Sequence, residues 1–312
     1  MLSRRIVRVK VMQVLYAMSR DQTLKMSDAV ARYNQSVSKT FEMYIYNLYI
    51  LLKIVDYSFK DAQNRSAKLR PTDEDKMFTP RLATNKFAQS LLSHPDLKKF
   101  NAKFVLEERL DEDLVKTLYT EYAKSDEYKI YVSKDITDEE EHVTALLNLY
   151  RFCTSHELFN DMLEDYHYNW EDDKSLILGA TKKTLKGLPA LDDFYKEFLP
   201  DPEVVKDFGE TMLVRVNSKN QEYLDHIEPN LKNWDADRVA IIDMILLKMA
   251  LCELLEFKSI PAKVTLNEFV EISKLYSTDK SKEFINGILD RLFKKLDKEG
   301  KINKEGRGLV DG

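Results

Sequence analysis

Residues that make tight turns are scarce in this chain, and their scarcity limits the folds open to it. The sequence holds 8 glycines and 8 prolines in 312 residues. Average usage in a chain of this length would give roughly 22 glycines and 16 prolines. A β-sheet needs turn residues between successive strands, and most of this chain instead repeats its apolar residues at helical spacing. We therefore predict an all-α protein.

Helical patterns are clearest at the two ends of the chain. Between Arg4 and Met18, three valines and a methionine form one apolar stripe along the predicted first helix. The stretch 239–255 is apolar nearly all round, which indicates a central buried helix. A polar connector at 277–281 precedes the final helix, and Gly287 within that helix predicts close packing against a neighbour.

Positive charge is concentrated at the amino end. Four basic residues lie in the first ten positions, and no acidic residue precedes Asp21, although the whole chain has a formal net charge of -5. These residues are Arg4, Arg5, Arg8 and Lys10. Basic side chains at the start of a helix oppose the helix dipole, so helix stability does not favour them there. From charge alone two interpretations stay open: a solvated, frayed terminus, or a cluster that holds a few phosphates of RNA or DNA.

Motifs that would indicate catalysis or a bound cofactor are missing from the sequence. It has no phosphate-binding glycine loop, dinucleotide fingerprint or nucleophile elbow, and its histidines and cysteines lack zinc-ligand spacing. Cys153 and Cys252 lie in apolar helical context, which is typical of free thiols in a reducing cytoplasm. Three charged residues interrupt 239–255, which predicts a core helix and not a membrane span. We expect a cytoplasmic protein that is not an enzyme, with no catalytic residues, cofactor or metal.

Two stretches resemble the NusB family of transcription antitermination factors. SRRIVRVKVMQVLY at 3–16 resembles the arginine-rich first helix of that family, and 237–291 is similar to its carboxy-terminal half. Residues 208–234 resemble the preceding family helices more weakly. The matching elements of the second stretch are ALCELL at 250–255, IPAKV at 260–264, LNEFVEI at 266–272 and FINGILD at 284–290.

The resemblance implies a helical bundle that pairs with a small-subunit ribosomal protein. In the family this pair binds the boxA element of nascent RNA and helps the polymerase to read through terminators in ribosomal RNA operons. Ile6 stands where the family often has another arginine, and Lys280 stands where relatives commonly carry an acid. The resemblance assigns RNA contacts to Arg4, Arg5, Arg8, Lys10, Gln13 and Lys280, and contacts with the ribosomal protein to Tyr16 and Asp243.

The two residues assigned to the ribosomal protein are both expected at the surface. Tyr16 lies off the apolar stripe of the first helix, which favours exposure over a place in the core. For Asp243, we expect replacement by lysine to weaken partner binding and to leave the thermal midpoint of unfolding nearly unchanged.

This chain is longer than compact members of that family, because its residues 38–199 have no clear counterpart in them. We predict a NusB-like helical bundle formed by 1–37 and 200–298, a helical insertion at 38–199 and a flexible tail at 299–312. The predicted function is that of an RNA-binding transcription antitermination factor. Its expected partners are single-stranded boxA-like RNA, a small-subunit ribosomal protein and the transcription elongation complex, with no membrane. The alternative is a helical protein-interaction scaffold that has kept the fold but lost RNA binding.

Overall fold

The computed structural model describes residues 2–133, 138–231 and 239–305. Within these ranges the regular elements are helices and no strand occurs, which confirms the predicted all-α fold. The chain forms two compact units. The middle unit consists of Lys39–Leu199, and the terminal unit consists of Leu2–Ser38 together with the chain from Pro200 onward. Parts of the predicted insertion (134–137) and of the predicted bundle (232–238) lie outside the described residues.

Most of the described residues lie in α-helices. A π-helical segment spans Glu203–Glu210, and short 3₁₀ turns lie at Glu107–Arg109, Lys196–Phe198 and Glu228–Asn230. The α-helices, in chain order, are α1 (Arg4–Arg20), α2 (Met26–Ser66), α3 (Asp73–Met77), α4 (Lys86–Leu92), α5 (Pro95–Lys103), α6 (Glu112–Tyr122), α7 (Asp126–Ser133), α8 (Glu139–Ser155), α9 (Glu157–Tyr166), α10 (Trp170–Lys186), α11 (Thr211–Ser218), α12 (Asn220–Ile227), α13 (Ile241–Glu256), α14 (Ala262–Tyr276) and α15 (Ser281–Lys298).

The middle unit has a core rich in tyrosine, centred on the part of α2 that belongs to it and on α8. Burying a phenol is favourable only when its hydroxyl finds a partner. Tyr44 therefore shares a 2.7 Å hydrogen bond with Thr184, and the Tyr150 hydroxyl donates to Asn47 Oδ1 at 3.0 Å. Burial also raises the pKa of Tyr46 to about 12. The two hydrogen bonds join α2 to α10 and to α8.

The terminal unit is built around α13. This helix packs against α1, α11, α12, α14 and α15, which together cover almost its whole circumference. The predicted central buried helix is therefore confirmed. Cys252 on α13 and Cys153 on α8 are both buried free thiols, as predicted. None of the described helices is both long and apolar enough to cross a membrane.

A close approach to α2 requires glycine in the π-helical segment. A Cβ atom added to Gly209 would lie 1.9 Å from the Tyr33 hydroxyl oxygen and 2.5 Å from Cγ1 of Val7. The Tyr33 side chain is fixed because it is buried and its hydroxyl donates to the carbonyl of Val205 at 2.9 Å. Gly287 differs, because a Cβ added there would meet nothing within 4 Å. The close packing predicted at Gly287 is therefore wrong.

The first residues of the predicted flexible tail are hydrogen-bonded to the terminal unit. Lys304 Nζ donates to the carbonyl oxygens of Glu253 and Phe257 at 2.9 and 3.0 Å. The backbone N–H of Glu305 donates to the carbonyl of Lys258 at 2.9 Å. The flexibility of 299–312 stays a prediction, and 306–312 lie outside the described residues.

Gly209→Ala should lower the free energy of unfolding of the terminal unit by about 1–3 kcal/mol, because the new methyl group overlaps Tyr33 and Val7. Gly287→Ala is the matched control. It adds the same methyl group in open space on a helix and should raise stability by about 0.5–1 kcal/mol. Urea unfolding followed by circular dichroism measures both changes. Equal effects of the two substitutions would contradict the close approach at Gly209.

Candidate nucleic-acid interface

The candidate interface is the start of α1, where the basic residues gather. The Ser3 hydroxyl caps this helix by accepting a hydrogen bond from the N–H of Ile6 at 3.4 Å, and no acidic residue lies in the first turn. Neutralising carboxylates come instead from the π-helical segment, α13 and α14. Some of the basic side chains of α1 are buried in this structure, and others reach solvent.

Arg8 forms a buried ion pair with Glu253 of α13. Its side chain is 2% exposed, and Nε and Nη2 each donate to a Glu253 oxygen at 2.7 Å. Thr265 Oγ1 donates to the same carboxylate at 2.8 Å. The rings of Phe208 and Phe269 flank the guanidinium at 5.2 and 5.8 Å from their centroids. The RNA contact of Arg8 stays a prediction, and in this structure its guanidinium is enclosed and its charge is matched.

Arg5 pairs with Glu268 of α14 but stays half in solvent. Its Nε and Nη2 donate to the two Glu268 oxygens at 2.9 and 2.6 Å, while 51% of the Arg5 side chain remains exposed. The hydrogen bond from Arg5 lowers the pKa of Glu268, and the same bond raises the pKa of Arg5. Glu268 also accepts from Nη1 of Arg8 at 3.5 Å. We call these four side chains, Arg5, Glu268, Arg8 and Glu253, the arginine–glutamate network.

The remaining predicted side chains on α1 differ in how far they reach solvent. Arg4 is partly exposed and pairs at 3.3 Å with the largely exposed Glu203, a contact that is weak in water. Lys10 is buried, and its RNA contact stays a prediction. Gln13 is half-buried, and Tyr16 is 41% exposed, as its position off the apolar stripe predicted.

Asp243 and Lys280 line one cleft between the starts of α13 and α15. Lys280 is exposed there, at the first residue before α15. Asp243 is 5% exposed, and its Oδ2 accepts a hydrogen bond from Ser281 Oγ at 2.8 Å. The expectation of an exposed Asp243 is therefore wrong: the carboxylate ties the two helix starts together, which is a structural role.

Sequence reasoning missed the carboxylates that surround the arginines. One signal was available, because Glu253 is an ionisable residue inside an almost wholly apolar helix, and such a residue is rarely buried without a partner. Neither Glu268 nor Glu203 stands out from its neighbours in the sequence. Among the described residues, no three or more His, Cys, Asp or Glu side chains are grouped so as to hold a metal ion.

The arrangement can offer an anion two solvent-facing guanidiniums, those of Arg4 and Arg5. Arg8 lies behind them and holds Glu268 and Glu253 in place. Guanidinium groups bind phosphate through paired N–H donors, so the exposed pair suits a phosphodiester backbone.

Comparison with known proteins finds a match in the terminal unit. Residues 203–294 match the family model described as the NusB family. The transcription antitermination protein NusB of Chloroherpeton thalassium is 40% identical over 125 residues, which is 39% of this chain and 59% of the relative. The proteins of the same name from Salinibacter ruber and Natranaerobius thermophilus are 44% and 42% identical over 111 and 89 residues.

These matches cover a limited share of each chain. The Salinibacter and Natranaerobius alignments cover 35% and 28% of this chain, and 68% and 64% of the relatives. The chain therefore spans between 59% and 68% of the length of the three relatives. No solved structure is significantly similar to it.

Arg8→Met should lower the free energy of unfolding by about 3–5 kcal/mol, because it leaves the Glu253 carboxylate buried without its cation. Arg4→Met, which removes a solvent-exposed ion pair one turn earlier on the same helix, should cost less than about 1 kcal/mol. The double variant Arg8→Met/Glu253→Met should recover most of the loss. Denaturant titration of the three variants measures these differences, and a neutral Arg8→Met would contradict the buried pair.

Asp243→Lys should lower the free energy of unfolding by about 2 kcal/mol or more, because it places an ammonium group where a hydrogen-bonded carboxylate is buried. Glu283→Lys makes the same charge change at an exposed position of the same cleft and should have little effect. Thermal unfolding measures both. An unchanged midpoint for Asp243→Lys would restore the expectation of a surface carboxylate.

Proposed function

The chain belongs to the NusB family, and we propose that it is an RNA-binding transcription antitermination factor. In this proposal it binds boxA-type RNA of ribosomal RNA operons together with a small-subunit ribosomal protein, and acts in the cytoplasm on the transcription elongation complex. It has no catalytic role. The observation that carries the proposal is the exposure of Arg4 and Arg5 at the start of a helix whose sequence resembles the arginine-rich helix of the family.

Phosphates of the RNA would be contacted by Arg4 and Arg5. Single-stranded RNA is the expected form, because the deep major groove of an RNA duplex does not admit side chains, whereas unpaired bases are accessible. The net charge of -5 works against indiscriminate binding to nucleic acid. Binding would therefore depend on a few positioned contacts and on the partner protein.

Other parts of the chain take supporting roles in the proposal. The bundle of 1–37 and 200–298 would carry both binding surfaces, and 38–199 would be an insertion of this chain. Exposed Tyr16 would contact the ribosomal protein, and exposed Lys280 would add an RNA contact. Gln13 stays a predicted RNA contact. Arg8 would act indirectly, by fixing the carboxylate that orients Arg5.

The double variant Arg4→Ala/Arg5→Ala should weaken binding to boxA-like RNA and reduce its dependence on salt. For single-stranded nucleic acid each phosphate contact contributes about 0.7 to the slope of log K against log salt, so two contacts should remove about 1.4. Arg20→Ala is the control, since it removes one exposed charge from the far end of the same helix. Fluorescence anisotropy at several salt concentrations, with and without the ribosomal protein, measures the slopes. Equal slopes for wild type and the double variant would exclude direct phosphate contact by Arg4 and Arg5.

The scaffold function is the second candidate, and one observation favours it. Arg4, Arg5 and Arg8 each have a carboxylate partner within the molecule, so the cluster is not an unpaired cationic surface. A scaffold would retain a ribosomal protein during purification after ribonuclease treatment, yet would bind boxA-like RNA no better than a scrambled sequence.

A further inference from the structure

We propose that Glu268 competes internally with RNA phosphate for Arg5, and that this competition sets the selectivity of the interface. The inference rests on the proposed RNA-binding function. It concerns a residue of α14 that would touch the RNA-binding arginine and not the RNA itself.

Glu268 occupies the part of Arg5 that a phosphate would use. Both Glu268 oxygens accept from Arg5, one from Nε and the other from Nη2, at 2.9 and 2.6 Å. A phosphate that binds a guanidinium bidentately needs two adjacent donors in the same planar arrangement. The carboxylate and a bidentate phosphate therefore exclude each other at this edge of Arg5.

Exposure shows which member of the arginine–glutamate network can change partners. Half of the Arg5 side chain faces solvent, so it can turn toward a ligand without unpacking the helix. Arg8 is enclosed and keeps the two hydrogen bonds that it donates to Glu253 whatever Arg5 does. Arg8 also lies 3.5 Å from Glu268, so the carboxylate retains a cation when Arg5 leaves. Exchange at Arg5 thus leaves no unpaired charge behind.

Selectivity follows from this competition. An anion that offers Arg5 only one phosphate must displace the Glu268 carboxylate, which binds Arg5 with the same two-point geometry. Its net gain in binding free energy is therefore small. An RNA that also contacts Arg4 or binds together with the protein partner gains contacts for which Glu268 does not compete. Removing the Glu268 charge should therefore increase binding to any single-stranded polyanion and reduce the preference for the specific RNA.

The main test compares Glu268→Gln with Glu256→Gln. Both substitutions remove one negative charge from a partly buried, ion-paired glutamate of the terminal unit, with side chains 18% and 24% exposed, but Glu256 pairs with Lys219 and not with an α1 arginine. Relative to Glu256→Gln, the Glu268→Gln variant should bind polyuridylate about 3- to 10-fold more tightly, with a salt slope steeper by about 0.7. The ratio of affinities for boxA-like RNA and polyuridylate should fall.

A double-mutant cycle shows whether the tighter binding of polyuridylate by Glu268→Gln depends on Arg5. In an Arg5→Ala background, Glu268→Gln should bind polyuridylate no better than Glu256→Gln does in the same background, because the freed guanidinium is absent. Glu268→Asp provides a second variant that keeps the net charge. Its side chain is one methylene shorter, so its carboxylate lies farther from Arg5. It should change polyuridylate affinity in the same direction by a smaller factor, relative to Glu256→Asp.

The outcomes separate this inference from the proposed function. If Glu268→Gln and Glu268→Asp, checked as folded by thermal unfolding, bind polyuridylate like their Glu256 controls or more weakly, Glu268 only positions Arg5 and the inference is overturned. If the wild-type protein shows no preference for boxA-like RNA over polyuridylate, the proposed function fails. The comparison of variants on polyuridylate still decides the inference in that case.

Discussion

The ion pair between Arg8 and Glu253 joins the first helix to the centre of the terminal unit. Two buried charges are costly unless each finds a partner and further hydrogen bonds, and here Thr265 and Glu268 complete the set. The pair fixes α1 against α13 and α14 in one register. Arg5, three residues earlier on α1, is thereby brought beside Glu268. Any anion that approaches this end of the molecule meets arginines whose positions were set by folding.

Packing of α1 against α13 and α14 explains how the arginines of one sequence motif come to differ in their surroundings. Arg4, Arg5 and Arg8 look alike in the sequence, and charge alone does not rank them. Within the folded unit Arg8 is part of the core, whereas Arg4 and Arg5 are available at the surface. The three arginines therefore do not form a uniform cationic patch. One of them is a buried structural residue, and the other two reach the surface. The formal net charge of the chain is negative, and each of these three arginines is already paired with a carboxylate.

Local properties of the fold could be predicted from the sequence, and contacts between distant segments could not. The all-α class, the central helix α13, the buried thiols and the exposure of Tyr16 follow from composition and periodicity, which act over a few residues. The partner of Arg8 lies 245 positions away and that of Arg5 lies 263 positions away, so no local pattern connects them. The same limit applies to Asp243, whose burial depends on Ser281 of another helix. The prediction of close packing at Gly287 is wrong because a helical glycine can be present without any neighbour that needs the space.

The π-helical segment Glu203–Glu210 restricts how many residues the chain can have between Pro200 and α11. A π turn accommodates one residue more than an α turn, and each residue of an α-helix corresponds to about 100° of rotation. Phe208 lies beside Arg8, and Glu203 beside Arg4, in the observed winding. Deleting a single residue here would allow regular α-helix and would rotate one of these side chains away from α1. Whether this stretch tolerates a deletion therefore depends on the rotation of its side chains about the helix axis. A homologue shortened here would need changes on α1 that restore these contacts.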